Sequence, residues 1–176
     1  MRILELTDKE CIEILTRLRV GRLGCSRANQ PYIVPFNFAY HERNLYSVAA
    51  VGQKIEWMRT NPLVCVEADE IFDHLHWTSV VLQGRYVECP DTPEGREQRE
   101  LAFALLQQQA GWWEPAGVKM AHLGAVEQMI PVYYRIHIGP MTGRRAKPHS
   151  VEAAALLERA AAARSKSWLK GLLRRN

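Results

Sequence analysis

Residues 31–58 carry the clearest hydrophobic pattern of the chain. Large apolar or aromatic side chains occupy every second position of residues 32–40, which is the two-residue period of a β-strand. One face of this strand is therefore expected to pack into a core, and the other to border a cleft. The core-facing set is Tyr32, Val34, Phe36, Phe38 and Tyr40, and the cleft-facing set is Ile33, Pro35, Asn37 and Ala39.

A return strand and a short helix follow in the same segment. After a polar turn, residues 45–51 predict an antiparallel strand that narrows to small side chains toward its end. Gly52 then opens a helix that begins with Gln53 and Lys54. A helix start presents free amide donors and the positive end of the helix dipole, so it favours an anion such as a phosphate. Lys54 adds a positive charge, and Ser47 on the preceding strand can add a hydroxyl.

The remaining pattern predicts an antiparallel β fold. Further strands are predicted over residues 23–26, 63–69, 77–89 and 130–138. Thr7 and Glu10 form a capping box that starts a helix, and Gly84 predicts a β-bulge or a close backbone approach. Six hairpin-linked strands without a β-α-β rhythm predict a mainly β (α+β) fold, a six-stranded antiparallel barrel with peripheral helices. The sequence has no G-x-G-x-x-G or Walker motif, which argues against those nucleotide sites.

Composition and charge predict two parts of unequal character. Residues 1–149 are long and hydrophobic enough for one globular domain, whereas residues 150–176 are rich in Ala, Leu and basic residues. The second part holds six of the 23 Lys and Arg residues and two of the 19 Asp and Glu residues, so the body is neutral. Nucleic-acid binding is not expected of a neutral body. The basic part is interpreted either as a helix or tail that packs on the body or a partner, or as an amphipathic helix that touches a membrane.

Other features predict a cytoplasmic protein without a metal site. No apolar run approaches the length of a membrane span, and the N-terminus is charged where a signal peptide is apolar. The four cysteines are scattered, which favours reduced thiols over disulfides. His74 and His76 form an H-x-H pair, but no cysteine or carboxylate spacing completes a ligand set.

A family resemblance is carried by five motifs in a fixed order. They are P-Y-I-V-P-F-N-F-A-Y from Pro31, L-Y-S from Leu45, G-Q-K-I from Gly52, N-P at Asn61, and W-T-S-V-V-L-Q-G-R from Trp77. Their order and spacing resemble the pyridoxamine-phosphate-oxidase-like family of FMN-binding split barrels. The match is closest to the branch that includes nitroimidazole-resistance reductases, and it covers residues 15–145.

The resemblance implies an FMN site in a split barrel. Together with the predicted anion site, it gives this set of cofactor-binding residues: Ile33, Val34, Pro35, Asn37, Ser47, Gln53, Lys54, Trp77, Ser79 and Val80. Val34 is expected to act through its backbone. Related proteins usually have Arg-Lys where this chain has Gln53-Lys54. Either Arg85 or Arg144 supplies the second cation, or the flavin is held with fewer charges.

The resemblance also implies a homodimer and an oxidoreductase. The cofactor site is expected at the dimer interface, with Trp112 and Trp113 as candidates for the interface or a substrate lid. The first hypothesis is electron transfer from NADH or NADPH through FMN to a small organic acceptor, with no catalytic side chain. Pyridoxamine phosphate oxidase activity itself is not expected, because its Arg-rich signature is not recognisable in residues 136–145. The alternatives are a non-catalytic flavin- or haem-binding sensor or carrier, and a partner-binding barrel with an empty cleft.

Overall fold

The computed structural model describes residues 1–108 and 131–148 and places eight strands and three helices in them. The strands are β1 (Arg2–Leu6), β2 (Val20–Arg27), β3 (Gln30–Asn37), β4 (Ala39–His41), β5 (Asn44–Ala50), β6 (Leu63–Asp73), β7 (His76–Glu88) and β8 (Pro131–Lys147). The helices are α1 (Asp8–Arg17), α2 (Gln53–Thr60) and α3 (Arg96–Gln107).

The strands form one antiparallel sheet that curls without closing. Its order is β3-β2-β6-β7-β8-β5-β4, with β1 added on β8. β3 and β4 follow each other in the chain but lie at opposite edges of the sheet. Phe38 separates them, and its N–H donates to the Arg19 carbonyl oxygen at 2.9 Å. Within the described residues β3 pairs only with β2, so the barrel stays split between β3 and β5. The predicted antiparallel split barrel is confirmed.

The sheet has eight strands, whereas the sequence predicts six. β1 and β4 are the additional strands, and β8 is longer than predicted. β4 is the end of the first predicted strand, bent onto β5 after Phe38. β8 runs on to Lys147, well beyond the strand that was predicted over residues 130–138. β1, which was not predicted, pairs with this additional half of β8 from Leu6↔Gly143 to Arg2↔Lys147. The prediction was wrong here because this half of β8 forms a strand through its pairing with β7 and β1, which lie far from it in the chain.

The core fills the inside of the curled sheet. Its fully buried side chains include Leu23, Phe38, Leu45, Val66, Val80, Leu82, Tyr134 and Ile136. Each large apolar side chain buried in this way stabilises the fold by roughly 1.5–3 kcal/mol. Gly84 lies at the predicted bulge, where the β7–β8 register shifts. A Cβ there would lie 2.5 Å from Ile136 Cγ2, so the bulge depends on glycine.

Two helices are anchored to the barrel by identifiable contacts. The capping box of α1 is confirmed: the Thr7 N–H donates to Glu10 Oε2 at 2.9 Å, and the Glu10 N–H donates to Thr7 Oγ1 at 3.3 Å. α2 buries Ile55 and Met58, and Trp57 packs on Tyr32 of β3 with 5.5 Å between ring centroids. None of the described helices is long and apolar enough to span a membrane.

Candidate anion site and sheet face

The N-terminus of α2 is open and has no side-chain cap. Gly52 is the N-cap residue, with an extended backbone (φ −177°, ψ −174°), and no side chain donates to or accepts from this end of the helix. The first intrahelical bond runs from the Glu56 N–H to the Gly52 carbonyl oxygen at 3.0 Å. A Cβ added to Gly52 would meet nothing within 4 Å. The first-turn amides are therefore available to an anion.

Lys54 lies in the first turn of this helix without a carboxylate partner among residues 1–108 and 131–148. None of the ion pairs in the described part of the chain includes it. Burial lowers the pKa of its ammonium group, and the nearby Cys25 acts in the opposite direction. A half-buried ammonium group without a counter-ion gains from an anion placed beside it.

A group of polar side chains lies inside the barrel near Lys54. Ser47 of β5 and Tyr134 of β8 occupy directly paired positions, and both are buried, with 1% and 0% of their surface exposed. Burial raises the pKa of Tyr134 to about 12, while the adjacent Ser47 hydroxyl opposes the increase. The Cys25 thiol raises the pKa of both Lys54 and Tyr134. We call Cys25, Ser47, Lys54 and Tyr134 the interior polar cluster.

The Tyr134 hydroxyl is the unsatisfied member of this cluster. Its oxygen is buried and makes no hydrogen bond of acceptable geometry to the rest of the described protein, although Ser47 lies next to it. Buried polar groups in folded proteins nearly always have a hydrogen-bond partner. The cluster therefore has a cation, two buried hydroxyls and a thiol, and one of the hydroxyls has no hydrogen-bond partner.

The predicted ring-binding residues lie on the outer face of the sheet, which points away from the core. The pairing places Pro35 of β3, Arg22 of β2, Glu67 of β6 and Val81 of β7 opposite one another. Directly paired residues of antiparallel strands point to the same face, and alternate residues share it. Ile33, Pro35, Asn37, Trp77 and Ser79 therefore share this outer face.

β2 and β6 nevertheless separate the β3 residues from the β7 residues. Three strand spacings of about 4.8 Å lie between β3 and β7. Arg22 forms ion pairs with Glu67 at 3.3 Å and with Asp69, so charged groups cross the intervening face. Burial and the nearby Asp69 raise the pKa of Glu67, while Arg22 lowers it. One chain therefore does not bring the two sets of ring-binding residues together.

Two recesses on the outer face correspond to these two sets. The Ile33 groove has a volume of about 380 Å³ and is lined mainly by Gly24, Cys25, Tyr32, Ile33, Leu63 and Cys65. The Trp77 cavity has a volume of about 490 Å³, and its lining includes Glu5, Trp77, Ser79, Val81 and Arg144. Cys25 belongs both to the Ile33 groove and to the interior polar cluster. Because Ile33 faces outward and the Cys25 side chain faces the core with Leu23, the groove and the interior polar cluster lie on opposite faces of β2.

Comparison with known proteins identifies the family to which this chain belongs. A family model described as pyridoxamine 5'-phosphate oxidase matches residues 7–145. The chain belongs to the pyridoxamine 5'-phosphate oxidase family. An uncharacterized protein of Rhizobium meliloti (strain 1021) is 36% identical over 141 residues, which cover 80% of this chain and 93% of the relative.

Solved structures of this family agree with the fold. A FAD-binding protein from Mesorhizobium loti is 41% identical with a TM-score of 0.71, and the match covers 84% of this chain and 100% of that one. A Bacteroides thetaiotaomicron protein whose name connects it with 5-nitroimidazole antibiotic resistance is 20% identical with a TM-score of 0.59. That match covers 82% of this chain and 87% of the other, and it shows the shared fold alone.

Two predicted cofactor-binding residues of this family member, Ser47 and Val80, have side chains inside the barrel. The Ser47 hydroxyl lies inside the barrel rather than on the strand surface, because Ser47 alternates in phase with the buried Leu45 and Ala49. The Val80 side chain is fully buried in the core, so Val80 can meet a cofactor only through its backbone. Val34 also packs against the core, which agrees with the expected backbone role.

Arg85 and Arg144, the two candidates for a second phosphate-binding cation, lie at different places in the sheet. Gln53 is exposed at the start of α2. Arg144 lines the Trp77 cavity, and Arg85 pairs with Leu63 and His137 in the sheet. In the part of the chain that the structure describes, neither arginine hydrogen-bonds to the interior polar cluster. Among the three predicted cations, Lys54 is therefore the one at the start of α2.

The histidine pair belongs to a hairpin turn. Asp73 accepts from the Leu75 and His76 amides at 2.7 and 2.8 Å, and its other oxygen lies 3.0 Å from His76 Nδ1. Residues 1–108 and 131–148 contain no group of three or more side chains that could hold a metal ion. Trp112, Trp113 and residues 150–176, with their predicted roles, lie outside the described residues.

The sequence interpretation missed two members of the interior polar cluster. Cys25 was interpreted as a packed thiol, and Tyr134 as one of the alternating residues of the last strand. The pairing of Ser47 with Tyr134 is the signal that identifies them, and it depends on the β5–β8 register. That register joins segments nearly 90 residues apart, so no local pattern contains it.

Proposed function

We propose that this protein binds FMN and uses it to pass electrons from a reduced nicotinamide to a small organic acceptor. The observation that carries the proposal is Lys54, a half-buried cation at the uncapped N-terminus of α2 without a carboxylate partner in the described residues. Family membership supports it, as does the M. loti relative, which is named as a FAD-binding protein.

The residues at this end of the barrel fit a flavin phosphate. A phosphate dianion requires a cation and several hydrogen-bond donors. Lys54 supplies the charge, the amides after Gly52 supply oriented donors, and Ser47 supplies a hydroxyl. The open space at Gly52 leaves room for the phosphate at this helix end.

The outer face fits the flat ring of a flavin. The lining of the Ile33 groove includes Ile33, Leu63 and Cys65, and Pro35 and Asn37 follow Ile33 on the outer face of β3. Pro35 has no N–H and so leaves this strand edge without one ladder donor. Trp77 and Ser79 line the other recess, so a ring in the groove would meet them only from a second copy of the chain.

The proposal includes a homodimer, because Trp77 and Ser79 can reach a ring in the Ile33 groove only from a second copy of the chain. The outer face exposes large apolar side chains, among them Ile33 (68% exposed), Leu63 (62%) and Ile71 (70%). Large apolar side chains exposed on both sides of the Arg22 ion pairs are consistent with a protein interface. A second copy laid on this face would bring its Trp77 and Ser79 to the ring in the Ile33 groove and would exclude water from it.

The chemistry of the proposed reaction belongs to the flavin, which accepts a hydride or electrons and passes them on. The protein's own residues hold the phosphate, orient the ring and keep the site dry. No side chain is assigned as a general acid or base. A site with one cation, hydroxyls and apolar walls suits a protein that binds the flavin and leaves the redox chemistry to it.

The test is the absorption spectrum of the freshly purified full-length protein, followed by reduction with NADPH. The proposal predicts a yellow protein that releases FMN, is bleached by NADPH or NADH and is reoxidised by an organic acceptor. A flavin that is retained but never cycles would instead support a sensor or carrier, and a Soret band would identify haem. A colourless protein that is not stabilised by added FMN or FAD would contradict flavin binding altogether.

A further inference from the structure

A row of directly paired residues crosses the outer face of the sheet from the edge of the Ile33 groove. Its members lie on β6, β7, β8 and β5, and they are Leu63, Arg85, His137 and Asn44. Directly paired residues point to the same face, so these side chains are neighbours. Leu63 lines the Ile33 groove, and the Arg85 and His137 side chains are exposed. The row therefore leads from the groove to two exposed side chains that can carry positive charge.

Asn44 holds the cationic side chains at the far end of this row. Its Nδ2 donates to the Glu42 carbonyl oxygen at 2.9 Å, which leaves Oδ1 as an acceptor. Arg135 Nη1 donates to Asn44 Oδ1 at 3.1 Å, and His137 Nδ1 lies 3.3 Å from the same oxygen. A neutral amide oxygen positions these side chains but does not neutralise the charge of the arginine.

Other arginines of the described residues are neutralised by carboxylates. The pairs are Arg17 with Glu70, Arg22 with Glu67 and Asp69, Arg59 with Glu88, Arg99 with Asp91, and Arg145 with Glu10. In residues 1–108 and 131–148 no carboxylate forms such a pair with Arg43, Arg85 or Arg135, and Arg43 Nη2 donates to the Gly139 carbonyl oxygen at 3.4 Å. We call Arg43, Arg85, Arg135 and His137 the basic row. Its positive charge favours an anion beside the groove.

We propose that the basic row binds the 2'-phosphate of NADPH, so that the protein takes its electrons from NADPH in preference to NADH. This inference rests on the proposed function and names the donor for the same site. A reduced nicotinamide that meets a flavin ring in the Ile33 groove leaves its phosphates outside the groove, and the basic row begins at the groove edge. Guanidinium groups match the geometry and charge of a phosphate dianion, which NADPH carries and NADH lacks.

The position of the basic row favours the nicotinamide donor over the second phosphate of FAD. The two phosphates of FAD are joined to each other, so a first phosphate at Lys54 keeps the second one near the start of α2. Asn44 lies at the beginning of β5, whereas α2 follows the end of β5 at Ala50. Six strand residues separate the two ends of β5, a distance of about 20 Å. The basic row therefore suits a phosphate of a different molecule.

The first part of the test measures nucleotide binding to the full-length protein by isothermal titration calorimetry. Adenosine 2',5'-bisphosphate and adenosine 5'-monophosphate differ only in the 2'-phosphate, and wild type is expected to prefer the bisphosphate. Arg85→Gln is expected to weaken bisphosphate binding about tenfold, the lower range for a hydrogen bond to a charged group, and Arg85→Lys to weaken it less. The control is Arg2→Gln, an equal charge change at an exposed position of β1, which is expected to bind like wild type.

The second part measures donor preference in the flavin-loaded protein. Arg85→Gln is expected to lower the ratio of kcat/KM for NADPH to that for NADH about tenfold, mainly through the KM for NADPH. Arg2→Gln is expected to keep the wild-type ratio. The FMN dissociation constant of each variant is measured alongside, because a role of Arg85 at the flavin phosphate would change that constant as well.

The outcomes distinguish the inference from the proposed function. If wild type binds the two adenosine nucleotides equally well, or if Arg85→Gln keeps the wild-type donor ratio, the basic row is refuted while flavin reduction stands. An equal loss of FMN and bisphosphate affinity in Arg85→Gln also refutes it, because Arg85 then belongs to the flavin phosphate site. A protein that binds no flavin, but whose preference for the bisphosphate depends on Arg85, contradicts the proposed function and leaves the basic row as a nucleotide site.

Discussion

Ser47 and Tyr134 occupy paired positions on β5 and β8, with both side chains inside the barrel and a tyrosine hydroxyl that lacks a partner. Cys25 raises the pKa of Tyr134 and also that of Lys54, which lies at the start of α2. The relationship is informative because a barrel interior normally excludes polar groups that lack partners. Tyr134 therefore has a buried hydroxyl whose presence the packing of its ring does not explain.

Gly52 offers a direct test of the helix N-terminus as the phosphate site. Gly52→Asp is expected to weaken FMN binding by tenfold or more, because its carboxylate would take the first-turn amides and repel the phosphate. The backbone at Gly52 is extended, and its surroundings are open, so the substitution fits without strain. Dissociation constants come from quenching of flavin fluorescence.

The matched control is Gly52→Asn, which caps the helix without a charge. It is expected to retain more FMN affinity than Gly52→Asp, while both variants gain a few tenths of a kcal/mol of stability from capping. Equal FMN affinity in Gly52→Asp and wild type would remove this helix end from the site.

The pKa of Lys54 predicts a pH dependence of flavin binding. Burial lowers this pKa from its ordinary value of 10.5, so the free protein loses the proton at a lower pH than an exposed lysine does. The phosphate favours the charged form, and FMN affinity should therefore be complete below the lowered pKa and fall as the pH rises through it. The measurement is the FMN dissociation constant between pH 7 and 10.5.

The lowered pKa of Lys54 has the opposite effect on the stability of the flavin-free protein, which rises with pH where FMN affinity falls. Between the lowered pKa and 10.5 the unfolded chain binds more protons at this lysine than the folded chain does, so the Lys54 contribution to stability rises with pH. Lys54→Arg keeps its charge throughout this range and should bind FMN with little pH dependence. An identical decline of FMN affinity in Lys54→Arg would assign the effect to another group.

Ile33 tests the outer face as the dimer interface. Ile33→Asp is expected to shift the protein toward a monomer on size-exclusion chromatography with light scattering, because it buries a charge in an apolar contact. Ile33 is 68% exposed in the single chain, so its replacement should not unfold the monomer. The monomer should also bind flavin more weakly.

The control for Ile33 is Phe103→Asp, which changes an exposed apolar residue of α3 rather than of the outer face. It is expected to leave the oligomeric state unchanged. If both variants elute with the wild type, the interface lies elsewhere on the molecule.

Local sequence patterns predicted the features that depend on few residues. The capping box at Thr7 and Glu10 and the bulge at Gly84 are both present, because each depends on contacts that its own sequence can specify. The alternation around Phe36 and the uncapped start of α2 were predictable for the same reason.

Features that depend on distant pairing could not be predicted in this way. β1 and the second half of β8 stabilise each other across 140 residues, and neither segment has a strong pattern of its own. The buried position of the Ser47 hydroxyl likewise follows from the β5–β8 register. The separation of Ile33 from Trp77 results from β2 and β6 lying between them, which is a property of sheet order rather than of either strand.

The central claim is that Lys54 holds the phosphate of a flavin, and one titration tests it most directly. FMN and riboflavin are titrated into flavin-free wild type and Lys54→Ala, with Lys9→Ala on the exposed side of α1 as the control. The account predicts that only Lys54→Ala loses FMN affinity, by about 1.5–3 kcal/mol, and that riboflavin affinity stays the same in all three proteins. An FMN dissociation constant that is unchanged in Lys54→Ala would contradict the account.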